Sequence, residues 1–391
     1  MDIKEQSLKF HEGGKFKTTL KKDITNKEDL SLAYTPGVAN ACLEIKREPS
    51  LAYKYTSKGN TVAVISDGTA VLGLGDIGPL AGIPVMEGKA NLFKKFADID
   101  AIPLCINTKN VEEIIQVCKA LEPSLGGINL EDISAPRCVE IERRLIKEMN
   151  IPVMHDDQHG TSIVVAAAVI NASRFTHKNI SDLTVVLSGT GAAGSNIARM
   201  LKRLGVKAIY ASNKDGVVDI KNYDSYDFLI KELLDDHIID TKEGHDNTLA
   251  SLLKDSNVFI GVSAPNLVTS EMVSTMKDPF VFAMANPNPE ISYADAIKGG
   301  AVVAGTGRSD FPNQVNNLLA FPGIFRGALD SNACKITEGM KLKASYAIAN
   351  LISDSELRSD YILPDAFDPR VVKAVSEAVK AEAILEGVCR K

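Results

Sequence analysis

The sequence predicts an α/β protein with parallel sheets, built as two units, and three observations carry that expectation. Short apolar runs alternate with stretches of helical periodicity along most of the chain, the pattern of strands joined by crossover helices. Two acid pairs, Glu131-Asp132 and Asp156-Asp157, each follow such an apolar run, with a helical stretch between them. A glycine fingerprint, Gly189-Thr190-Gly191-Ala192-Ala193-Gly194, then follows another apolar run and opens an alanine-rich helix.

The 391 residues suit two domains, each able to bury its own core. Hydrophobic residues at 45% and charged residues at 24% are the proportions of an ordinary soluble globular protein. A net charge of −6 with no basic stripe argues against a nucleic-acid partner. Six scattered cysteines without CxxC spacing read as buried or inert thiols of a reducing compartment. The charged N-terminus does not resemble a signal peptide, and the longest apolar run, 162–170, is too short to cross a bilayer. The expectation is a cytoplasmic protein without a membrane partner.

In chain order, residues 1–60 are polar and helical or irregular, with Tyr34-Thr35-Pro36-Gly37 as a sharp turn. Strands are expected at 61–65, 101–106, 126–130 and 151–154, and helices at 111–121 and 137–150. The glycine-rich segment 68–82 reads as close-packed turn. A long apolar helix, 161–175, leads to a second cycle: strand 183–187, the fingerprint, helix 193–204 and strand 207–210. Further strands at 258–262, 280–283 and 301–304 precede helical patterns at 314–328, 337–352 and 369–385. The expected division is an N-terminal α/β unit, 1–160, and a Rossmann-like doubly wound dinucleotide-binding unit, 161–391. The last helices are free to fold back on either half.

A lone G-x-G-x-x-G is weak, but its place between a strand and a helix is what dinucleotide binding requires. Gly189 permits the tight turn, Gly191 a close approach of backbone to pyrophosphate, and Gly194 the helix–strand contact. Beyond the second strand stand Asn213, Lys214 and Asp215. A cation there suits the 2′-phosphate of NADP and an acid suits the ribose of NAD, so both cofactors stay open.

Adjacent strand residues face opposite ways, so Glu131 and Asp132 share a ligand only where the backbone turns, as Ser134 and Pro136 suggest. Hard carboxylate oxygens suit Mg²⁺ or Mn²⁺. Acids at helix starts also complement the macrodipole, yet two pairs in equivalent places beside a nucleotide site favour a metal. His155 and His159 have zincin spacing, but the glutamate base is absent, which leaves them supporting roles. Lys89 follows a glycine turn and precedes an apolar helix face. It is a candidate base with a depressed pKa, against the plainer reading of a solvated lysine near Lys94 and Lys95. Tyr34 by itself is an ordinary packing tyrosine.

Taken together, 31–39, 72–78, 82–93, 129–133, 155–161, the fingerprint, 285–289 and 311–317 resemble the malic enzyme family in its short bacterial form. The resemblance implies oxidative decarboxylation of (S)-malate to pyruvate, with NAD or NADP and Mg²⁺ or Mn²⁺. By it, Tyr34 falls on the general acid and Lys89 on the general base. Glu131, Asp132 and Asp157 fall on the metal ligands, and Asp156 on a neighbour that tunes the lysine. Asn286 and Asn317 fall on asparagines that touch substrate or nicotinamide, and Asn316 is close enough to share that role. One departure stands out: Ala70 occupies the place of an arginine that grips a malate carboxylate in larger members, and Arg308 is the candidate replacement. A homodimer is expected, because the apolar residues of the first 60 positions need cover. The rival readings are a 2-hydroxyacid dehydrogenase without a metal, and a nucleotide-binding regulatory protein with a decayed site.

Overall fold

The computed structural model describes residues 2–390 and contains two separate sheets. The first comprises β1 (Thr61–Ser66), β2 (Asp100–Cys105), β3 (Gly127–Leu130) and β4 (Val153–His155), all parallel, in the order β2-β1-β3-β4. The second comprises β5 (Thr184–Ser188), β6 (Ala208–Asn213), β7 (Gly216–Val217), β8 (Val258–Gly261), β9 (Phe280–Ala283) and β10 (Val303–Thr306). Its order is β10-β9-β8-β5-β6-β7, parallel except for the short β6–β7 pair. Strands covered on both faces read as unbroken apolar runs, and every residue of β1 is buried. The α/β expectation with a doubly wound second sheet is what the chain adopts.

The helix Asp156–Thr176 runs between the sheets and is buried almost throughout. One continuous core joins Val62 and Phe93 of the first half, Ile163–Val169 of this helix, and Val185 and Ile260 of the second. The closing helices Phe321–Asp330, Glu338–Ala349 and Arg370–Leu385 fold back onto that core. Phe93 meets Phe321 and Phe325 edge-on, with ring centroids 4.8 and 5.3 Å apart. Gly323 and Gly327 let the helix Arg370–Leu385 approach closely, since a Cβ at either would crowd Val375 or Val379.

Two elements differ from the expectation. Segment 68–82 is turn only in part: Gly68, at φ +70°, accepts the amides of Ile77 and Gly78, and a 20-residue helix, Gly78–Ala97, starts there. Pro79 suits a first helical turn, where its missing N–H costs nothing, and Gly82 is buried above Gly68 and Val71. The pattern at 314–328 resolves into a short 3₁₀ turn, Asn317–Leu319, and the helix Phe321–Asp330. Among the described residues no helix is long and apolar enough to cross a membrane.

The N-terminal helices Ile3–His11, Lys27–Ala33 and Val38–Arg47 bury no residue. Leu8, Phe10, Leu30, Leu32 and Leu43 are each more than half exposed.

Candidate active site

Both acid pairs follow the carboxyl ends of neighbouring strands, with Leu130 of β3 beside His155 of β4 in the register. Asp132 takes a left-handed conformation at φ 52°, and this is the backbone turn that Glu131 and Asp132 need to face one space. The conformation is uncommon for a residue with a side chain. It is held by a hydrogen bond from Asp132 N to Asp157 Oδ2 at 3.0 Å and by one from Ala70 N to the Asp132 carbonyl at 3.0 Å. Asp156 and Asp157 lie in the first turn of the helix Asp156–Thr176, where the helix dipole favours negative charge.

Lys89, on the inner face of the helix Gly78–Ala97, meets these acids. Its Nζ donates to Asp156 Oδ2 at 2.6 Å, lies 2.8 Å from Glu131 Oε1, and stands 4.2 Å from the centre of the Phe321 ring. Asn129 Nδ2 donates to Glu131 Oε2 at 2.8 Å, and Asn317 Nδ2 donates to Asp156 Oδ2 at 2.5 Å. Lys89, Glu131 and Asp132 are nearly sealed from solvent and Asp156 completely so.

The expectation of a depressed Lys89 pKa is not met. Burial does press it down, but the carboxylates of Asp156, Glu131 and Asp157 outweigh burial and hold it above its ordinary range. Burial raises Asp156 to about 6 against the opposing pull of Lys89, and raises Glu131 well above the usual carboxylate range. Lysine and acids alike hold their protons longer than in water, as expected of a cluster short of positive charge.

A cavity of about 810 Å³ opens beside this cluster. Its wall includes Lys89, Glu131, Asp132, Asp157, Asn286, Asn316 and Asn317, together with Ala192 and Ala193 of the fingerprint. His155 and Gln158 are on the wall too; both His155 ring nitrogens and Gln158 Nε2 are buried without a hydrogen-bond partner. Unsatisfied polar atoms on a cavity wall suit ligand binding.

Three carboxylates on one wall give a donor set that suits a hard divalent cation. Among the described residues, however, no three acid, imidazole or thiol groups already stand close enough to enclose an ion. The three wall carboxylates fit a metal in their charge and donor chemistry, while Lys89 contacts Glu131 and Asp156.

The remaining fingerprint residues, Gly189, Thr190, Gly191 and Gly194, are not part of this wall. A Cβ at Gly189 would stand 2.7 Å from the Val262 carbonyl, and one at Gly194 would collide with the Gly189 carbonyl. Nothing lies within 4 Å of a Cβ at Gly191, which leaves that backbone open to a phosphate. Beyond β6, Asn213 Oδ1 accepts the Asp215 amide at 2.8 Å, while Lys214 and Asp215 are exposed.

Two expected residues stand elsewhere. Tyr34 is 69% exposed and absent from the cavity wall. Arg308 is a correction: its guanidinium is tied to Asp310 by contacts of 2.8 and 2.7 Å, and only the neighbouring Gly307 reaches the wall.

The structure also supplies residues that the sequence reading missed. Glu290, fully buried, accepts the amides of Ser263 at 2.8 Å and Ala285 at 3.0 Å, fixing the loops after β8 and β9 on which Asn286 is carried. Glu142 accepts the His155 amide at 2.7 Å and lies 3.0 Å from His159 Nε2, while Lys341 Nζ stands 3.0 Å from His159 Nδ1. His159, bonded to Glu142 and facing Lys341, thus supports the turn bearing the second acid pair.

Comparison with known proteins gives a consistent result. Residues 13–146 match the family model described as malic enzyme, N-terminal domain, and residues 158–385 match malic enzyme, NAD binding domain. The chain is 51% identical to a bifunctional malic/malolactic enzyme of Bacillus subtilis, covering all of this chain and 95% of that one. It is 50% identical to an NAD-dependent malic enzyme of Geobacillus stearothermophilus, covering 81% of that protein. Its fold superposes on the crystal structure of an NAD-dependent malic enzyme from Thermotoga maritima with a TM-score of 0.91 at 47% identity, over 97% of this chain and 99% of that one.

Proposed function

Since the chain belongs to the malic enzyme family, we propose that it oxidises and decarboxylates (S)-malate to pyruvate and carbon dioxide in this cavity, with NAD or NADP. The observation that carries the assignment is the buried Lys89 flanked by Glu131 and Asp156, on a wall shared with Asn286, Asn317 and the fingerprint helix. The first 160 residues supply the acids and the base, and residues 161–391 the dinucleotide side.

Glu131, Asp132 and Asp157 would hold a Mg²⁺ or Mn²⁺ ion. When bound, that ion supplies Lewis-acid stabilisation of the enolate oxygen, and the nicotinamide supplies the hydride acceptor. Lys89 in its neutral form removes the proton of the C2 hydroxyl. Burial favours that neutral form and the surrounding carboxylates oppose it, so neutralising their charge is a condition for the base to work. Asp156 orients Lys89, and Asn317 orients Asp156. Asn286 and Asn316 contribute amides for substrate and nicotinamide. Tyr34 returns a proton to C3 of the enol, giving pyruvate.

In one copy of the chain Tyr34 stands away from the cavity, on a segment whose apolar side chains are uncovered. A homodimer resolves both facts: a second copy covers these helices and brings its Tyr34 to the cavity of the first, a reciprocal arrangement that twofold symmetry provides. Six free cysteines agree with a reducing, cytoplasmic setting.

The test is initial rates with malate and each dinucleotide, before and after chelation of divalent ions. Metal-dependent formation of pyruvate supports the proposal. Undiminished turnover in chelator, with oxaloacetate accumulating, indicates a simple 2-hydroxyacid dehydrogenase instead. Asp157→Ala separates the ligand assignment, since it should weaken Mn²⁺ binding more than dinucleotide binding.

A further inference from the structure

The substrate of this cavity is a dianion, and its carboxylates need cations. Among the described residues, Lys15 and Lys89 are the only lysine or arginine side chains on the cavity wall. Lys89 is already spent on Glu131 and Asp156. We propose that Lys15 binds the carboxylate of malate that is retained in pyruvate, on C1.

The position of Lys15 is built rather than incidental. Its backbone N–H donates to Glu87 Oε2 at 2.8 Å, and its Nζ donates to the Pro84 carbonyl at 2.7 Å. Both partners lie on the helix that carries Lys89. Nζ also lies 2.8 Å from His11 Nε2, and 3.4 Å from where a Cβ at Gly88 would stand. The ammonium is therefore held over the residue preceding the base. Its two side-chain partners are a carbonyl and an imidazole. Among the described residues no carboxylate oxygen lies within 4 Å of Nζ, so a third N–H remains for an anion. Burial pushes the Lys15 pKa down and Glu87 opposes it, so the ammonium stands in a partly desolvated place where an arriving carboxylate is welcome. Ala70, on the same wall, offers no charge of its own.

Chemistry selects which carboxylate. The C4 carboxylate loses its charge as carbon dioxide departs, and an ammonium fixed on it would stabilise the ground state more than the transition state. The C1 carboxylate keeps its charge from malate to pyruvate, so a fixed cation there holds substrate, intermediate and product without opposing the reaction.

This assignment rests on the malic enzyme reading, and the two can fail separately. If wild-type protein forms no pyruvate from malate, the function is wrong. Given an active wild type, Lys15→Met should raise both the KM for malate and the inhibition constant of pyruvate by about 10–100-fold, as for loss of a charged hydrogen bond. The KM for the dinucleotide and the melting temperature should stay near wild type, and Lys15→Arg should recover most of the affinity. An unchanged KM for malate overturns the proposal. So does a rise for malate with none for pyruvate, which would put Lys15 at the departing carboxylate. A parallel loss of dinucleotide affinity and melting temperature overturns it too, because Lys15 would then only pin the N-terminal segment.

Discussion

Lys89 Nζ donates to Asp156 Oδ2 across 2.6 Å, joining residues 67 positions apart on two different helices. Asp156 is fully buried, so no water replaces it if its charge is removed. Asp156→Asn keeps the size and removes a charge that opposes neutral Lys89, but it weakens the bond that orients the lysine. The lost orientation should outweigh the easier deprotonation and lower kcat by about 10–100-fold. Mn²⁺ titration should show a smaller change than in Asp157→Ala. A wild-type kcat in Asp156→Asn would remove Asp156 from the account.

Glu142 gives a pH signature behind the site. Burial alone would raise its pKa, but the charge and hydrogen bond of His159, with Lys341 and His155, hold it at about 2. A carboxylate depressed on folding adds stability that is complete above its unfolded pKa and is lost as pH falls through the folded one. The window here runs from 4.5 down to about 2. The shift is worth on the order of 3 kcal/mol. Glu142→Gln should be less stable than wild type at pH 7 and should lose less on acidification below pH 4.5, measured by urea midpoints. Parallel losses in both proteins would contradict this linkage.

The fingerprint glycines separate by role. Gly194→Ala drives a Cβ into the Gly189 carbonyl and should lower the melting temperature, whereas Gly191→Ala meets nothing within 4 Å. Gly191→Ala should fold as wild type and raise the KM for the dinucleotide, because the added methyl occupies the phosphate approach. Equal melting temperatures for the two variants would refute the distinction.

What the sequence made legible was local. The acid pairs follow β3 and β4, and the fingerprint follows β5, because apolar runs ended by polar residues signal strand ends without long-range information. The helix Gly78–Ala97 was obscured at its start because Gly78, Pro79 and Gly82 are turn formers by propensity. They serve a helix here because that helix packs against Gly68. The sign of the Lys89 shift depends on acids 42 and 67 positions away, and no local pattern weighs burial against them. Arg308 looked free in sequence but is satisfied by Asp310, two residues on. Lys15 gave no signal, since only the docking of its segment on Glu87 and Pro84 brings it to the cavity.

The central claim is that Lys89 and Tyr34 share one reaction, each cavity drawing its tyrosine from a second copy. The most direct measurement is malate-dependent formation of reduced dinucleotide and pyruvate by Lys89→Ala, by Tyr34→Phe, and by the two variants co-expressed. Each variant alone should lose about 10²–10⁴-fold in overall turnover, the range for a general acid or base. Random pairing makes half the dimers hybrids with one intact cavity of two, so the co-expressed protein should recover about a quarter of the wild-type rate. A mixture no more active than its parents, or a Lys89→Ala variant at the wild-type rate, would contradict the account.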